Sequence, residues 1–276
     1  MHEARVRELF DSTGPCLEAI VGHTWHHGDP ELEARGHTVL EACRGLEDDL
    51  IAAAGLRPGG RALDFGSGVG GPTLHMAAFS GASFVGLSNN EWLNMRARKL
   101  AATIDLSHRV SFLTTGDEDY KTLVAFGDAS FDAITFFEST CYLSDKPAFF
   151  RAAHRVLKPG ARIVGTERLQ RPFAEHITDA HIMKLMAPVN EHACIPGHGT
   201  LASYRGMLEA AGFKVLAARD MFEGVQCWGS QPPEDREMWT TYNGPDADRI
   251  RKGKAALDAA RDAGVFTVGM FVAQKI

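Results

Sequence analysis

Residues 61–72, Arg-Ala-Leu-Asp-Phe-Gly-Ser-Gly-Val-Gly-Gly-Pro, constrain the fold more than any other stretch of the chain. An apolar run stops at Asp64 and gives way to Gly66, Gly68 and Gly70, the pattern of a strand feeding a tight turn and then a helix. Glycines there remove the Cβ atoms that would stop the backbone from bending sharply and from touching a ligand. The spacing Gly-x-Gly-x-Gly is shorter than the Gly-x-Gly-x-x-Gly that holds a dinucleotide pyrophosphate. A carboxylate at Asp64 would repel a pyrophosphate and favour an ammonium group, so a ligand of the second kind is expected against the turn.

From Arg61 onward strands and helices alternate, which predicts a parallel sheet with helices on both faces. The expected strands are 61–65, 83–87, 110–113, 131–137 and 161–167, with helices over 70–79, from Trp92 and over 146–157, the last stopped by Lys158-Pro-Gly160. A helix over 201–211, a sixth strand over 213–218, a helix over 247–263 and a last strand over 266–272 complete the pattern. Residues 1–57 read as a helical N-terminal cap, since Leu9, Cys16, Leu17, Ile20 and Val21, then Leu40, Cys43, Leu46, Leu50 and Ile51, recur at helical spacing. Between these stripes a glycine-bounded loop concentrates His23, Trp25, His26 and His27. Residues 58–276 form the core, with insertions at about 168–199 and 220–263 that are too long for ordinary connections and read as substrate lids.

A chain of 276 residues with a formal charge of −6 buries a sizeable core and carries no cluster of Lys and Arg suited to nucleic acid. Its five cysteines are scattered and lack metal-ligand spacing, which fits reduced thiols and a cytoplasmic location. The N-terminus lacks a signal-peptide pattern, and no apolar run approaches the length of a membrane span. No metal site is expected from the scattered His and Glu residues.

Motif by motif, the strand ends resemble class I S-adenosylmethionine (SAM) methyltransferases. Asp64 with Gly66, Ser67, Gly68 and Gly70 is similar to their first motif, which meets the methionine part of SAM. Leu87-Ser-Asn-Asn-Glu91 departs from the acidic residue usual at the second strand. With Arg96-Ala-Arg98 it resembles the Gly-Leu-Asn-Asn-Asn-Asp-Tyr-Gln and Arg-Ala segment of sterol C-24 methyltransferases, which implies that Ser88, Asn89 and Asn90 serve the ribose. Asp117 and Glu118 then face the adenine. The run Glu138-Ser-Thr-Cys-Tyr142 resembles the Glu-Ala-Thr-Cys-His segment of sterol methyltransferases and the Glu-Ser-Thr-x-Tyr of geranyl diphosphate C-methyltransferases. The resemblance spans about residues 60–215 and implies a Rossmann-like sheet of seven strands, the last entering antiparallel beside the sixth.

Both families methylate a carbon–carbon double bond, which creates a carbocation. Such chemistry needs aromatic faces, exclusion of water and a base. Glu138 is the expected base or cation stabiliser beside SAM, with a backbone-binding role under the cofactor as its structural alternative. Tyr142 and His192 complete the candidate catalytic set. Trp25, His26, Tyr142, Glu191, His192, Tyr204 and Trp228 are the candidate substrate contacts, although isolated aromatics are more often core. Arg168, Arg171, His176 and His181 suit a diphosphate if the acceptor carries one and are otherwise lid surface, the default reading until that premise is established; Mg²⁺ is expected only with a diphosphate. The leading expectation is therefore a C-methyltransferase acting on the alkene of a prenyl or terpenoid small molecule. An O- or N-methyltransferase of a secondary metabolite is the first rival and a SAM-binding regulator or cyclisation helper the second. An NAD-linked dehydrogenase ranks last. Association into a homo-oligomer is left open.

Overall fold

A computed structural model describes residues 2–115, 123–171, 179–227, 237, 239–244 and 246–276. The N-terminal third supplies three helices, α1 (His2–Val21), α2 (Pro30–Ala34) and α3 (Val39–Ala54), joined by the histidine-rich loop. Helix α3 begins at a reciprocal Thr38–Glu41 capping box and ends at Gly55 in the left-handed conformation. The sheet strands are β1 (Arg61–Phe65), β2 (Ser83–Ser88), β3 (Val110–Thr114), β4 (Phe131–Phe137), β5 (Leu157–Gln170), β6 (Phe213–Asp220) and β7 (Phe266–Lys275). Helices α4 (Gly71–Ser80), α5 (Glu91–Thr103), α6 (Lys146–Val156), α7 (Asp179–His192), α8 (Leu201–Ala210) and α9 (Ala247–Asp262), with 3₁₀ turns at Leu123–Ala125 and Thr140–Tyr142, complete the described elements.

The seven strands form one sheet in the order β3-β2-β1-β4-β5-β7-β6. The pairs β1–β2, β1–β4, β2–β3 and β4–β5 are parallel, whereas β7 runs antiparallel to both β5 and β6. The expected topology is thus present, including the reversed last strand. Parallel strands covered on both faces read as apolar runs, and β4 divides its side chains accordingly: Ala133 and Phe137 join the core on one face, Ile134 and Phe136 that on the other. Helices α3, α4, α5, α7 and α9 cover the first face, while α6 and α8 cover the second.

Strand β5 is longer than its apolar run suggests. It begins at Leu157, through the Lys158-Pro-Gly160 segment expected as a stop, and continues to Gln170 because Arg162–Gln170 pairs residue for residue with Gln274–Phe266 of β7. That extension carries Arg168 beyond the end of β4. Strand order reverses between β1 and β4, and open sheets bind ligands beyond their carboxyl ends at such a switch point. Helices α7 and α9, from the two insertions, pack on each other above that edge.

Candidate active site

The turn after β1 is built by three left-handed glycines, Gly66 (φ +80°), Gly68 (φ +53°) and Gly70 (φ +89°), of distinct function. A Cβ on Gly66 would lie 2.2 Å from the Ser139 Cβ, and one on Gly70 would lie 2.9 Å from the Phe112 ring and the Ala97 Cβ. These two close the turn against β4, β3 and α5. A Cβ on Gly68 would instead find its nearest atom, on the Trp25 ring, at 3.8 Å. Its backbone therefore faces open space, a cavity of about 610 Å³ at the switch point. Asp64 lies on the cavity wall with its carboxylate held by the hydroxyls of Thr73 (2.5 Å) and Thr135 (2.8 Å). Burial outweighs those hydrogen bonds and raises its pKa to about 6, with the Glu47 carboxylate adding to the rise.

The histidine-rich loop lies over this turn: a Cβ on Gly71 would come within 2.1 Å of the His23 carbonyl oxygen. Trp25 stacks on Phe10 of α1, which meets Tyr142 edge to face. His26 is buried between two acceptors, the His27 carbonyl at 2.8 Å from Nδ1 and Glu47 Oε1 at 3.0 Å from Nε2. Burial alone would lower its pKa, but Glu47 and then Glu138 more than compensate and raise it. Its imidazole faces Phe137 at 4.6 Å. His26 thus lines the cavity as one half of a buried ion pair, and Glu47 is the half that the α3 stripe concealed: it occupies an apolar-face position one residue after Leu46.

Glu138 caps β4 in the left-handed region, φ +49°, a conformation that non-glycine residues adopt rarely and often at functional sites. Its Oε1 accepts from the His27 backbone N–H and from His27 Nδ1, both at 2.7 Å. Burial favours the neutral acid, yet His27 and the Arg168 guanidinium overcome it and bring the pKa down to about 2. Glu138 is therefore a buried carboxylate that stays ionised. Below it, Glu167 fixes the turn by accepting from Cys141 N at 3.0 Å, from Arg168 N at 2.8 Å and from the Thr140 hydroxyl. Tyr142 lines the cavity, and burial raises its phenol pKa well above the ordinary value.

Among the other expected residues, Ser67, Ser88, Asn89 and His192 line the cavity. Asn90 does not; it caps α5 by accepting from Leu93 N and ties α1 down through Asp11. Two expectations for the acceptor pocket are corrected. Tyr204 is fully buried between Phe150 and Phe271 on the opposite face of the sheet, with its hydroxyl on Thr140, and so belongs to the core. Glu191 is exposed on α7, away from the cavity wall. Arg171 is engaged by Asp220 and the Phe222 carbonyl, whereas Arg168 lines the cavity. Asp117, Glu118, His176 and Trp228 lie outside the described residues.

The sequence did not single out Phe10, Glu47 or Arg249 as wall or support residues. Only Glu47 carried a signal, a charge on an otherwise apolar helical stripe. Among the described residues, no three His, Cys, Asp or Glu side chains converge as metal ligands, and no helix is long and apolar enough to cross a membrane.

This strand order, with a glycine turn at the carboxyl end of β1, defines the class I methyltransferase architecture. The Methyltransferase domain family matches residues 36–218, and the chain belongs to that family. It is 35% identical over 155 residues to cycloartenol-C-24-methyltransferase 1 of Oryza sativa subsp. japonica, covering 56% of this chain and 43% of that protein. Among solved structures, the [4+2]-cyclase SpnF matches with a TM-score of 0.82 at 25% identity, covering 99% of this chain and 96% of SpnF. Geranyl diphosphate C-methyltransferase from Streptomyces coelicolor A3(2) matches at 0.76 and 15% identity, with 100% and 98% coverage. The matched stretch spans 33% to 62% of the lengths of the first curated relatives.

SAM fits the groups that the cavity presents. The Ser67 hydroxyl is buried without a hydrogen-bond partner among the described residues, and the buried Asn89 lines the same cavity. Together with the open Gly68 backbone they form a polar cradle beside β1 and β2, with an aromatic wall opposite.

Proposed function

We propose that the protein is a SAM-dependent C-methyltransferase that alkylates the alkene of a prenyl or terpenoid small molecule through a carbocation. The observation that carries this reading is Glu138, a carboxylate that remains ionised inside an aromatic-walled cavity. Gly66, Ser67, Gly68, Ser88 and Asn89 would hold SAM, which supplies an electrophilic methyl group when bound. Residues 1–57 act as a cap and the insertions at about 168–199 and 220–263 as lids that keep water from the acceptor.

With SAM held in the cavity, the acceptor's π pair would form the new carbon–carbon bond as the methyl–sulfur bond breaks, its electron pair leaving with S-adenosylhomocysteine, and a cation would remain on the neighbouring carbon. Phe10, Trp25 and Tyr142 offer aromatic faces to that charge, and Glu138 faces it as a fixed anion. An alkyl cation is a far stronger acid than any carboxylic acid, so a carboxylate of pKa about 2 suffices to take its proton and restore the double bond. The same carboxylate is a weak base toward an alcohol or amine, which need a base with a pKa nearer the operating pH. This difference favours carbon over oxygen or nitrogen as the acceptor.

Incubation with methyl-labelled SAM and a panel of prenyl diphosphates, sterols and prenylated aromatics tests the reading. Label on carbon supports it, and label recovered only on oxygen or nitrogen refutes it. The likeness to the [4+2]-cyclase favours a second reading, in which the walled cavity folds a polyene for cyclisation. Product formed without stoichiometric S-adenosylhomocysteine would select that one.

A further inference from the structure

The cavity wall carries a guanidinium that has no direct partner among the described residues. Its carboxylates among the described residues are Asp64 and Glu138, the first bonded to two threonine hydroxyls and the second to His27. Arg168 projects from the extended end of β5 onto the same wall. Among the described residues no carboxylate lies within ion-pair distance of its guanidinium, which makes no hydrogen bond, and its buried Nε has no partner. The centroid of the Phe266 ring lies 5.6 Å from its guanidinium carbon.

Arg171, three residues further on, shows what a structural arginine looks like at this edge. It gives Nε to Asp220 at 2.8 Å and Nη2 to the Phe222 carbonyl at 2.6 Å. Arg249 of α9 adds a second guanidinium to the cavity wall, and its bond is to a thiol, Cys194 Sγ at 3.5 Å. The field around Arg168 is positive enough to act at a distance. His198 is held well below its ordinary pKa by burial, then by Arg168 and Lys146.

A buried guanidinium with no direct ion-pair or hydrogen-bond partner is costly, because its hydration is lost and only the more distant charges of Glu138 and Glu167 offset it. Its planar fork matches the paired oxygens of a carboxylate or a phosphate. We propose that the acceptor carries an oxyanion, a carboxylate or a phosphate, which Arg168 takes as a bidentate partner, with Arg249 as a second guanidinium on the wall. This rests on the reading that the cavity holds the acceptor. It makes the site bipolar: Glu138 faces the carbon that becomes positive, and Arg168 fixes the anionic end, setting which alkene carbon is presented. A neutral sterol would leave the guanidinium unpaired.

Binding, measured by calorimetry with the protein saturated in S-adenosylhomocysteine, tests the proposal without requiring turnover. Two sets of probes of constant chain are used: geraniol, geranic acid and geranyl monophosphate, then decanol, decanoate and decyl phosphate. The charged members are expected to bind about tenfold or more tightly than the alcohols. Carboxylate against phosphate identifies which oxyanion the fork prefers. Arg168→Gln should erase that advantage, leave the affinity for the alcohols unchanged, and retain S-adenosylhomocysteine binding. Arg168→Lys should keep part of the advantage, because charge remains while the fork is lost.

Equal affinity for charged and neutral members in the wild type, or no binding by any charged member, overturns the proposal. An Arg168→Gln protein that folds and keeps the preference for anions does so as well. Should that variant not fold, the wild-type comparison still decides. The position of the methyl label is a separate readout: label on oxygen with the anion preference intact would refute the carbon-alkylation reading and leave the oxyanion site standing.

Discussion

The backbone N–H and the Nδ1 of His27 both lie 2.7 Å from one carboxylate oxygen of Glu138, 111 residues away in sequence. Because an ionised carboxylate only accepts, Nδ1 must carry a proton there. The N-terminal loop thereby fixes both the charge and the orientation of the group on which the proposed chemistry depends.

Replacing Glu138 by Gln keeps an acceptor oxygen for His27 and removes the charge. Methyl transfer to carbon should fall about a hundredfold or more, with S-adenosylhomocysteine affinity changed only a few-fold. A radiolabel assay beside calorimetry checks both. Unchanged turnover would reassign Glu138 to a structural role.

Glu138 ionises at about 2 in the fold, against about 4.3 in an unfolded chain. A depressed carboxylate contributes stability that is present above the unfolded pKa and is lost as pH falls through the window between those values. His27→Ala removes the largest attraction that depresses it. Activity of the variant should show an acid limb displaced toward neutral pH, whereas the wild-type profile stays flat down to the acid limit of folding. The pH dependence of kcat/KM between mildly acidic and neutral buffers decides this.

Asp64 shows the opposite sign. Its folded pKa of about 6 exceeds an unfolded value of about 3.9, so its ionisation destabilises the fold progressively as pH rises between the two. The penalty is complete above about pH 6. Asp64→Asn should stabilise the ligand-free protein at pH 7.5 by about 1–3 kcal/mol and confer little benefit near pH 4, while weakening SAM binding. Thermal unfolding at both pH values, with and without SAM, measures the crossover.

Gly66→Ala places a methyl group 2.2 Å from the Ser139 Cβ at φ +80°. A loss of about 2 kcal/mol or more, or failure to fold, is expected. Gly160→Ala, at φ +76° with open space around it, isolates the backbone strain and should cost about 1 kcal/mol. Denaturant midpoints of the two variants separate overlap from strain.

Tyr204→Phe removes a buried hydroxyl 3.3 Å from that of Thr140. Stability should fall by about 1 kcal/mol with KM for the acceptor unchanged. A selective rise in KM would restore Tyr204 to the pocket.

The sheet was legible because its central parallel strands are written as apolar runs ended by a glycine or an acid, as at Arg61–Phe65 before Gly66 and Phe131–Phe137 before Glu138. The β5 extension was not, since Arg168–Gln170 is held as strand by pairing with distant β7 rather than by its own composition. Within the site, Gly66, Ser67 and Gly68 could be read locally because the close glycine spacing after an apolar run itself marks the turn. Tyr204 and Tyr142 have the same side chain and opposite surroundings, and only the third dimension separates them. The partnership of Glu47 with His26 likewise joins two segments whose proximity no local pattern encodes.

The His23 carbonyl pressed against Gly71 makes the first 28 residues part of the cofactor turn rather than an appendage to it. Ligand occupancy and docking of α1 are then thermodynamically linked. SAM should slow proteolysis within residues 2–28 and protect their amides from hydrogen exchange. Conversely, removal of α1 should reduce affinity for a molecule that binds mainly to the opposite wall.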